Sequence, residues 1–340
     1  MFKEIHIKTF LKKSLDIPFL DVRTPDEFQK GHITGALNLP LFETHERDTI
    51  GKMYKEQGRN AAILKGLEMS YGKVEKFVVT GKELAKNNKL LLHCWRGGMR
   101  SASLAWLFDT TGIESWVLTG GYKAYRRYVL KCLKHPYNLV IIGGMTGSGK
   151  TDILLTLKEM GFQVLDLEAL AHHKGSVFGA LGEEAQNSNE QFENDIFTFL
   201  ASFDPKKPVW VEDESQNIGR NLIPSGFFKQ ILNSQLICID ADIQTRINRL
   251  VRDYATFSAE SLEICIKKIS RRLGGLATKS AIESLEKHDF SKVAELMLDY
   301  YDKTYSYSLN KRDPSKVHHV SFNSGNIHTV VDQILKIVTS

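Results

Sequence analysis

The chain has 340 residues, 42% of them apolar, and a formal net charge of +5; it is too long for one ordinary core and apolar enough for two. No run approaches the roughly eighteen apolar residues of a membrane helix, and Met1-Phe2-Lys3-Glu4-Ile5-His6 lacks an apolar targeting segment, so a globular cytoplasmic protein without membrane association is expected. The four cysteines, Cys94, Cys132, Cys238 and Cys265, form no C-x-x-C pair, which argues against a zinc site or a disulfide framework and leaves one reactive thiol with three bystanders.

The first patterned segment is Phe19-Leu20-Asp21-Val22-Arg23-Thr24-Pro25-Asp26-Glu27-Phe28, followed by Gly31-His32-Ile33-Thr34-Gly35-Ala36-Leu37-Asn38-Leu39-Pro40. Asp21 and Arg23 at a strand end are placed to brace a neighbouring loop. Pro25 at a helix start and Gly31 at its exit follow ordinary capping chemistry, and these residues read as structural. A basic stretch over 47–65, with Arg47, Lys52, Lys55, Arg59 and Lys65, offers a contact for an anionic partner.

Leu90, Leu91 and Leu92 predict a buried strand and residues 101–108 the helix after it. Cys94 then falls where loop amides and a helix N-terminus converge, and Arg96 and Arg100 add positive charge; such a setting stabilises a thiolate. Gly97 and Gly98 let the backbone turn. Five residues separate Cys94 from Arg100, so the amide ring is long enough to surround a tetrahedral, phosphate-sized anion. Cysteine phosphatases share this spacing, and a plain sulfurtransferase loop is usually one residue shorter. The two motifs in this order, ending in Gly120-Gly121-Tyr122, resemble the rhodanese signature over about residues 1–130.

A helix over 122–134, rich in tyrosine and basic residues, runs into His135-Pro136, where proline ends it. The domain boundary is expected there, with a first domain at 1–134 and a second at 135–340. The second opens on Leu139-Val140-Ile141-Ile142-Gly143-Gly144-Met145-Thr146-Gly147-Ser148-Gly149-Lys150-Thr151. Residues 144–151 satisfy G-x-x-x-x-G-K-[ST] between an apolar strand and a helix that stops at Gly161, the context a phosphate loop requires. Gly144, Gly147, Ser148 and Gly149 would cradle a diphosphate, Lys150 would reach its oxygens, and the Thr151 hydroxyl is the candidate ligand for Mg2+.

Further strands are expected at 163–167, 209–211 and 236–240, a helix at 243–254, and a last strand and helix after Val317. This alternation implies a parallel sheet wrapped by helices. Residues 259–299 read as helical, an accessory bundle or lid within about 255–310. Glu212 and Asp213, at a strand end before Glu214 and Ser215, are Walker B candidates. His172, His173, Lys174 and Ser176 follow the second strand of this domain, at the sheet edge where open α/β folds bind ligands. Arg246, Arg249, Arg252, Lys267, Lys268, Arg271 and Arg272 gather around predicted helices. Three readings stay open for them: contact with RNA, a clamp on a small phosphate ligand, and a solvated face.

The fold class that emerges is α/β, a rhodanese-like domain followed by a P-loop NTPase-like parallel-sheet domain with accessory helices. That order, with the loop at 94–101, Gly120 to Arg126, the phosphate loop, Asp166-Leu167-Glu168, His172 to Gly179, Glu212 to Ser215 and Ile218-Gly219-Arg220, resembles the bacterial tRNA 2-selenouridine synthase family over nearly the whole chain. The resemblance implies replacement of sulfur by selenium in 2-thiouridine at the tRNA wobble position. Selenophosphate would be the donor, held by Arg96, Gly97, Gly98 and Arg100 with Cys94 as the catalytic residue, and an S-geranyl intermediate would be made from geranyl diphosphate on the phosphate loop. It also brings tRNA as partner, with His173, Arg220, Arg246, Arg249 and Arg252 as candidate tRNA or ligand contacts, and selenophosphate synthetase as a candidate second partner. From the residues alone, a cysteine phosphatase or a rhodanese-type sulfurtransferase coupled to a nucleotide-binding domain stays open, as does a non-catalytic RNA-binding ATPase. Which tRNAs are used and the oligomeric state are not legible.

Overall fold

The computed structural model describes residues 1–322 and 326–339. The chain divides into two compact units, Met1–Cys132 with Glu193–Phe197, and Leu133–Phe192 with Thr198–Ser340.

The first unit is built on five strands: β1 (Lys3–Ile5), β2 (Phe19–Asp21), β3 (Leu37–Asn38), β4 (Lys89–His93) and β5 (Glu114–Leu118). Their order is β1-β5-β4-β2-β3, with every pairing parallel. Parallel neighbours need crossover connections that cover the sheet faces, so inner strands carry continuous apolar runs. Leu90, Leu91 and Leu92 of β4 are accordingly all fully buried. The helix after β4 spans Met99–Thr110 and turns Ser101, Leu104, Ala105 and Phe108 inward. Pro25–Lys30 is a helix opened by a capping box in which Thr24 and Glu27 exchange hydrogen bonds, with Pro25 in its first turn. The basic stretch at 47–65 lies in the helical segment Thr44–Tyr71, which is broken at Gly58. The tyrosine-rich helix runs Gly121–Cys132, starting and ending slightly earlier than expected.

The second unit has β6 (Leu139–Gly144), β7 (Gln163–Leu165), β8 (Val209–Glu212), β9 (Asn217–Ile218), β10 (Asn221–Leu222), β11 (Gln235–Asp240) and β12 (Val317–Ser321). Five of them form a parallel sheet in the order β12-β11-β6-β8-β7. β6, the strand that feeds the phosphate loop, is central, and all six of its residues are buried. The strand expected over 163–167 stops at Leu165. Asp166 caps the short helix Leu167–Ala171 by accepting from the Ala169 N–H at 2.8 Å, which draws the chain out of the sheet. β9 and β10 form an antiparallel hairpin that the sequence patterning did not reveal. The helical region consists of Ala259–Lys268, Ser270–Leu273, Gly275–Glu286 and Phe290–Leu309, and so continues beyond residue 299. Leu262, Ile266, Leu285 and Met297 form its core together with Phe178.

Candidate functional site

In the first unit the chain leaves β4 at His93 and enters Cys94 directly. The Cys94 side chain is 3% exposed, and two donors meet its sulfur: the Gly98 N–H at 3.3 Å and the Ser101 hydroxyl at 3.2 Å. Ser101, read from sequence only as part of the motif, thus touches the Cys94 sulfur.

The loop is pinned from behind by the turn after β5. The Tyr122 N–H donates to the Cys94 carbonyl at 2.8 Å and the Lys123 N–H to the Trp95 carbonyl at 3.0 Å. Gly97 and Gly121 make this approach possible. Both have positive φ, and a Cβ on Gly121 would lie 2.3 Å from the Cys94 oxygen, one on Gly97 2.3 Å from the Leu118 oxygen. Arg23 holds the other side. Its guanidinium pairs with Asp21 (Nη2 to Oδ2, 2.6 Å), donates to the Gly31 carbonyl at 2.7 Å, and lies 3.8 Å over the Tyr122 ring. The bracing expected of Asp21 and Arg23 is therefore transmitted through an aromatic ring. His93 is fully buried, and burial pushes its imidazole down to about 4, so it is neutral at pH 7.

The two loop arginines differ. Arg96 is exposed. Arg100 reaches back to Glu27, with Nη1 to Oε2 at 2.6 Å and Nη2 to Oε1 at 3.2 Å. Burial works against the Arg100 charge, but the Glu27 hydrogen bonds and charge outweigh it and hold the group more firmly protonated than usual. Glu27, unassigned on sequence, links the helix Pro25–Lys30 to this loop because the same carboxylate accepts from the Thr24 N–H at 3.0 Å.

In the second unit the segment after β6 leads into the helix Lys150–Glu159. The Lys150 ammonium donates to the Gly144 carbonyl at 2.9 Å, Thr151 is exposed, and the Ser148 hydroxyl is buried without a hydrogen-bond partner. The expected basic cluster divides here. Arg246 is 3% exposed, donates to the Thr146 carbonyl at 2.8 Å and pairs with Asp302 (Nη1 to Oδ2, 2.9 Å); Arg249 donates to the Ser148 carbonyl at 2.7 Å and the Gly147 carbonyl at 3.2 Å. Both arginines brace the loop's outer carbonyls and are not free cations facing solvent. Arg252, Lys267, Lys268, Arg271 and Arg272 are exposed.

The acidic segment after β8 also divides. Asp213 pairs with Arg312 and accepts from the Tyr305 hydroxyl, which in turn accepts the Gly144 N–H at 2.7 Å. Glu212 is buried, with Oε1 accepting from the Glu168 N–H at 2.6 Å and Oε2 unpartnered; burial, then the nearby Asp166 and Glu168, push its carboxyl well above the usual range. Glu168 and Glu214 share a hydrogen bond, and burial raises both carboxyls while the Lys150 charge opposes the rise. Sequence gave Glu168 no role, because its 46-residue separation from Glu214 is closed only by the pairing of β7 with β8.

His173 lies beneath the β9–β10 turn, its Cδ2 2.7 Å from where a Gly219 Cβ would be, and its Nδ1 is buried without a partner. Burial lowers its basicity. Arg220, the next residue of that turn, is exposed. Beside the phosphate loop an open-mouthed cavity is lined by Thr146, Phe178, Tyr254, Leu262, Met297 and Tyr301 among others. Apart from a few hydroxyls the wall is apolar.

A family model described as tRNA 2-selenouridine synthase AAA domain matches residues 137–337, and a Rhodanese-like domain model matches residues 8–128. The tRNA 2-selenouridine synthase of Nitrosomonas europaea is 33% identical, with 87% of this chain and 90% of that protein covered. Those of Bdellovibrio bacteriovorus and Shewanella woodyi are 35% and 34% identical over 87% of this chain. The chain belongs to the tRNA 2-selenouridine synthase family. As a selenouridine synthase family member it is an enzyme, with a rhodanese unit carrying the Cys94 loop and a P-loop unit carrying Lys150. Among the described residues no helix is long and apolar enough to cross a membrane.

Proposed function

We propose that this enzyme converts 2-thiouridine to 2-selenouridine at the wobble position of tRNA in the cytoplasm, with selenophosphate as selenium donor, in two steps divided between its two anion loops. In the first, the thiouridine sulfur attacks C1 of geranyl diphosphate. The C–S bond forms, the C–O bond to diphosphate breaks, and the N3 proton is released. In the second, the selenium of selenophosphate attacks C2: the C–Se bond forms, the C–S bond breaks, the S-geranyl group takes up a proton and leaves as geranylthiol, and water cleaves the P–Se bond to release phosphate.

The observation that carries the first step is the apolar cavity bordered by Thr146 of the phosphate loop. A phosphate cradle adjoining an apolar hollow suits a ligand with a diphosphate head and a hydrocarbon tail. Residues 144–151 would take the diphosphate, with Lys150 compensating its charge. Thr151 and Glu212, whose Oε2 is buried with no partner, would hold a Mg2+ ion, which would supply charge compensation to the diphosphate. Asp213, paired with Arg312, is less suited.

For the second step, Cys94 would bind the selenium donor, with no change of oxidation state at sulfur or selenium. The amides of Gly97 and Gly98 and the exposed Arg96 would receive the selenophosphate anion, while Arg100 shapes the loop through Glu27. His173 and Arg220 would lie near the substrate in the P-loop unit, and a selenophosphate synthetase is the expected supplier of the donor.

The test is nucleoside mass spectrometry of a 2-thiouridine-containing tRNA after incubation with the purified enzyme. Geranyl diphosphate alone is expected to yield the S-geranyl nucleoside, and added selenophosphate to convert it to selenouridine. Geranyl diphosphate should also bind at least tenfold more tightly than inorganic diphosphate, since each buried methylene contributes about 0.8 kcal/mol. Turnover of an artificial phosphoester that Cys94→Ser abolishes, with no modified tRNA formed, would replace this reading by phosphatase chemistry.

A further inference from the structure

The helix Gly121–Cys132 starts against the Cys94 loop, to which it is tied by the Tyr122 and Lys123 amides. It contains no acidic residue. Tyr122, Tyr125 and Val129 are fully buried on one side, whereas Lys123, Arg127 and Lys131 are all exposed on the other. Their four-residue spacing places them in a row with steps of about 6 Å. Neither these three nor Arg96 enters an ion pair among the described residues. This differs from the cluster around residue 246, whose innermost arginines are spent on the phosphate loop.

At the head of the row is Trp95, next to the nucleophile and 38% exposed. Its ring is supported from within, 5.8 Å from the Tyr122 ring and 5.8 Å from the Arg23 guanidinium. A braced, solvent-facing indole offers a flat apolar surface at low entropic cost, and unpaired RNA bases are commonly held by such stacking.

We propose that this face is the RNA-docking surface of the rhodanese unit: Lys123, Arg127 and Lys131 take the phosphate backbone, and Trp95 stacks an unpaired base beside Cys94. The inference rests on the reading of tRNA as substrate. A row of unpaired cations leading to an exposed aromatic matches a single-stranded polyanion whose bases are splayed, as in an anticodon loop.

The experiment measures binding of an unmodified tRNA transcript to the full chain across a salt series. The triple variant Lys123→Glu/Arg127→Glu/Lys131→Glu is expected to weaken binding more than tenfold and to flatten the dependence of log Kd on log salt. The corresponding triple variant Lys267→Glu/Lys268→Glu/Arg271→Glu is expected to change binding less. Trp95→Ala should weaken binding about fivefold or more, with Trp95→Phe restoring it; the tRNA-induced quench of tryptophan fluorescence should be lost in Trp95→Phe. Thermal melts matching the parent chain show that the exposed substitutions leave the fold intact. If the parent chain binds the transcript and the first triple variant binds equally well with the same salt slope, the docking surface is wrong and the tRNA reading stands. If the parent chain binds no tRNA at any salt, the tRNA reading fails and the docking surface with it.

Discussion

The two units use the same device, a parallel strand whose end opens into a glycine-containing loop and then a helix, but they fill it differently. In the rhodanese unit Cys94 stands in the first position after β4, with Gly98 and Ser101 directed at its sulfur. In the P-loop unit Lys150 faces back toward the loop at 2.9 Å from the Gly144 carbonyl, and Arg246 and Arg249 grip the outer carbonyls. The cations differ in the same sense, since Arg100 is already matched by Glu27 whereas the charge of Lys150 lies among carboxyls kept high by burial. Strand, loop and helix supply only the amides. What distinguishes the two loops is the few side chains that back them.

The largest expected effects separate the two loops. Cys94→Ala should reduce selenouridine formation to background while S-geranyl nucleoside still accumulates; selenouridine persisting in the variant would refute the assigned role. Lys150→Ala should slow geranylation by about 10² to 10³-fold while leaving selenium insertion into a pre-geranylated tRNA unchanged. Equal loss of both steps in either variant would collapse the division of labour.

A smaller effect addresses how firmly the Cys94 loop is held. Gly121→Ala puts a methyl group 2.3 Å from the Cys94 oxygen at a positive φ, so a destabilisation of about 2 to 3 kcal/mol is expected. Denaturant unfolding measures it, and selenium insertion should suffer far more than geranylation.

The smallest effect is electrostatic. Burial tends to raise the Glu27 carboxyl, but Arg100 outweighs it and holds it below its usual 4.5. A depressed folded value means that the pair's contribution is complete above about pH 4.5 and is lost as pH falls through the folded value. Glu27→Gln should therefore lower Tm slightly at pH 7, with the gap to the parent closing in acid. A gap independent of pH would show that Glu27 acts through its capping bonds alone.

The features legible in the sequence are those written in contiguous residues. The apolar strands β4, β6 and β11, the two loops and the helix Ile243–Tyr254 were expected essentially where they lie, because hydrophobic period and glycine placement are local signals. The end of β7 was missed because an Asp cap competed with an apolar run, and the β9–β10 hairpin because two-residue strands carry no period.

The site was legible only as far as its loops. Cys94, Lys150 and the anion-binding character of their surroundings follow from spacing along the chain, since amides and a helix N-terminus come with the backbone that those residues dictate. Glu27 beside Arg100, Glu168 beside Glu214, Arg246 wrapped onto Thr146 and the apolar cavity next to it were decided by the tertiary structure alone. Each joins residues far apart in sequence, and a carboxylate's partner, an arginine's burial or a hollow between helices exists only once the sheet order has brought those segments together.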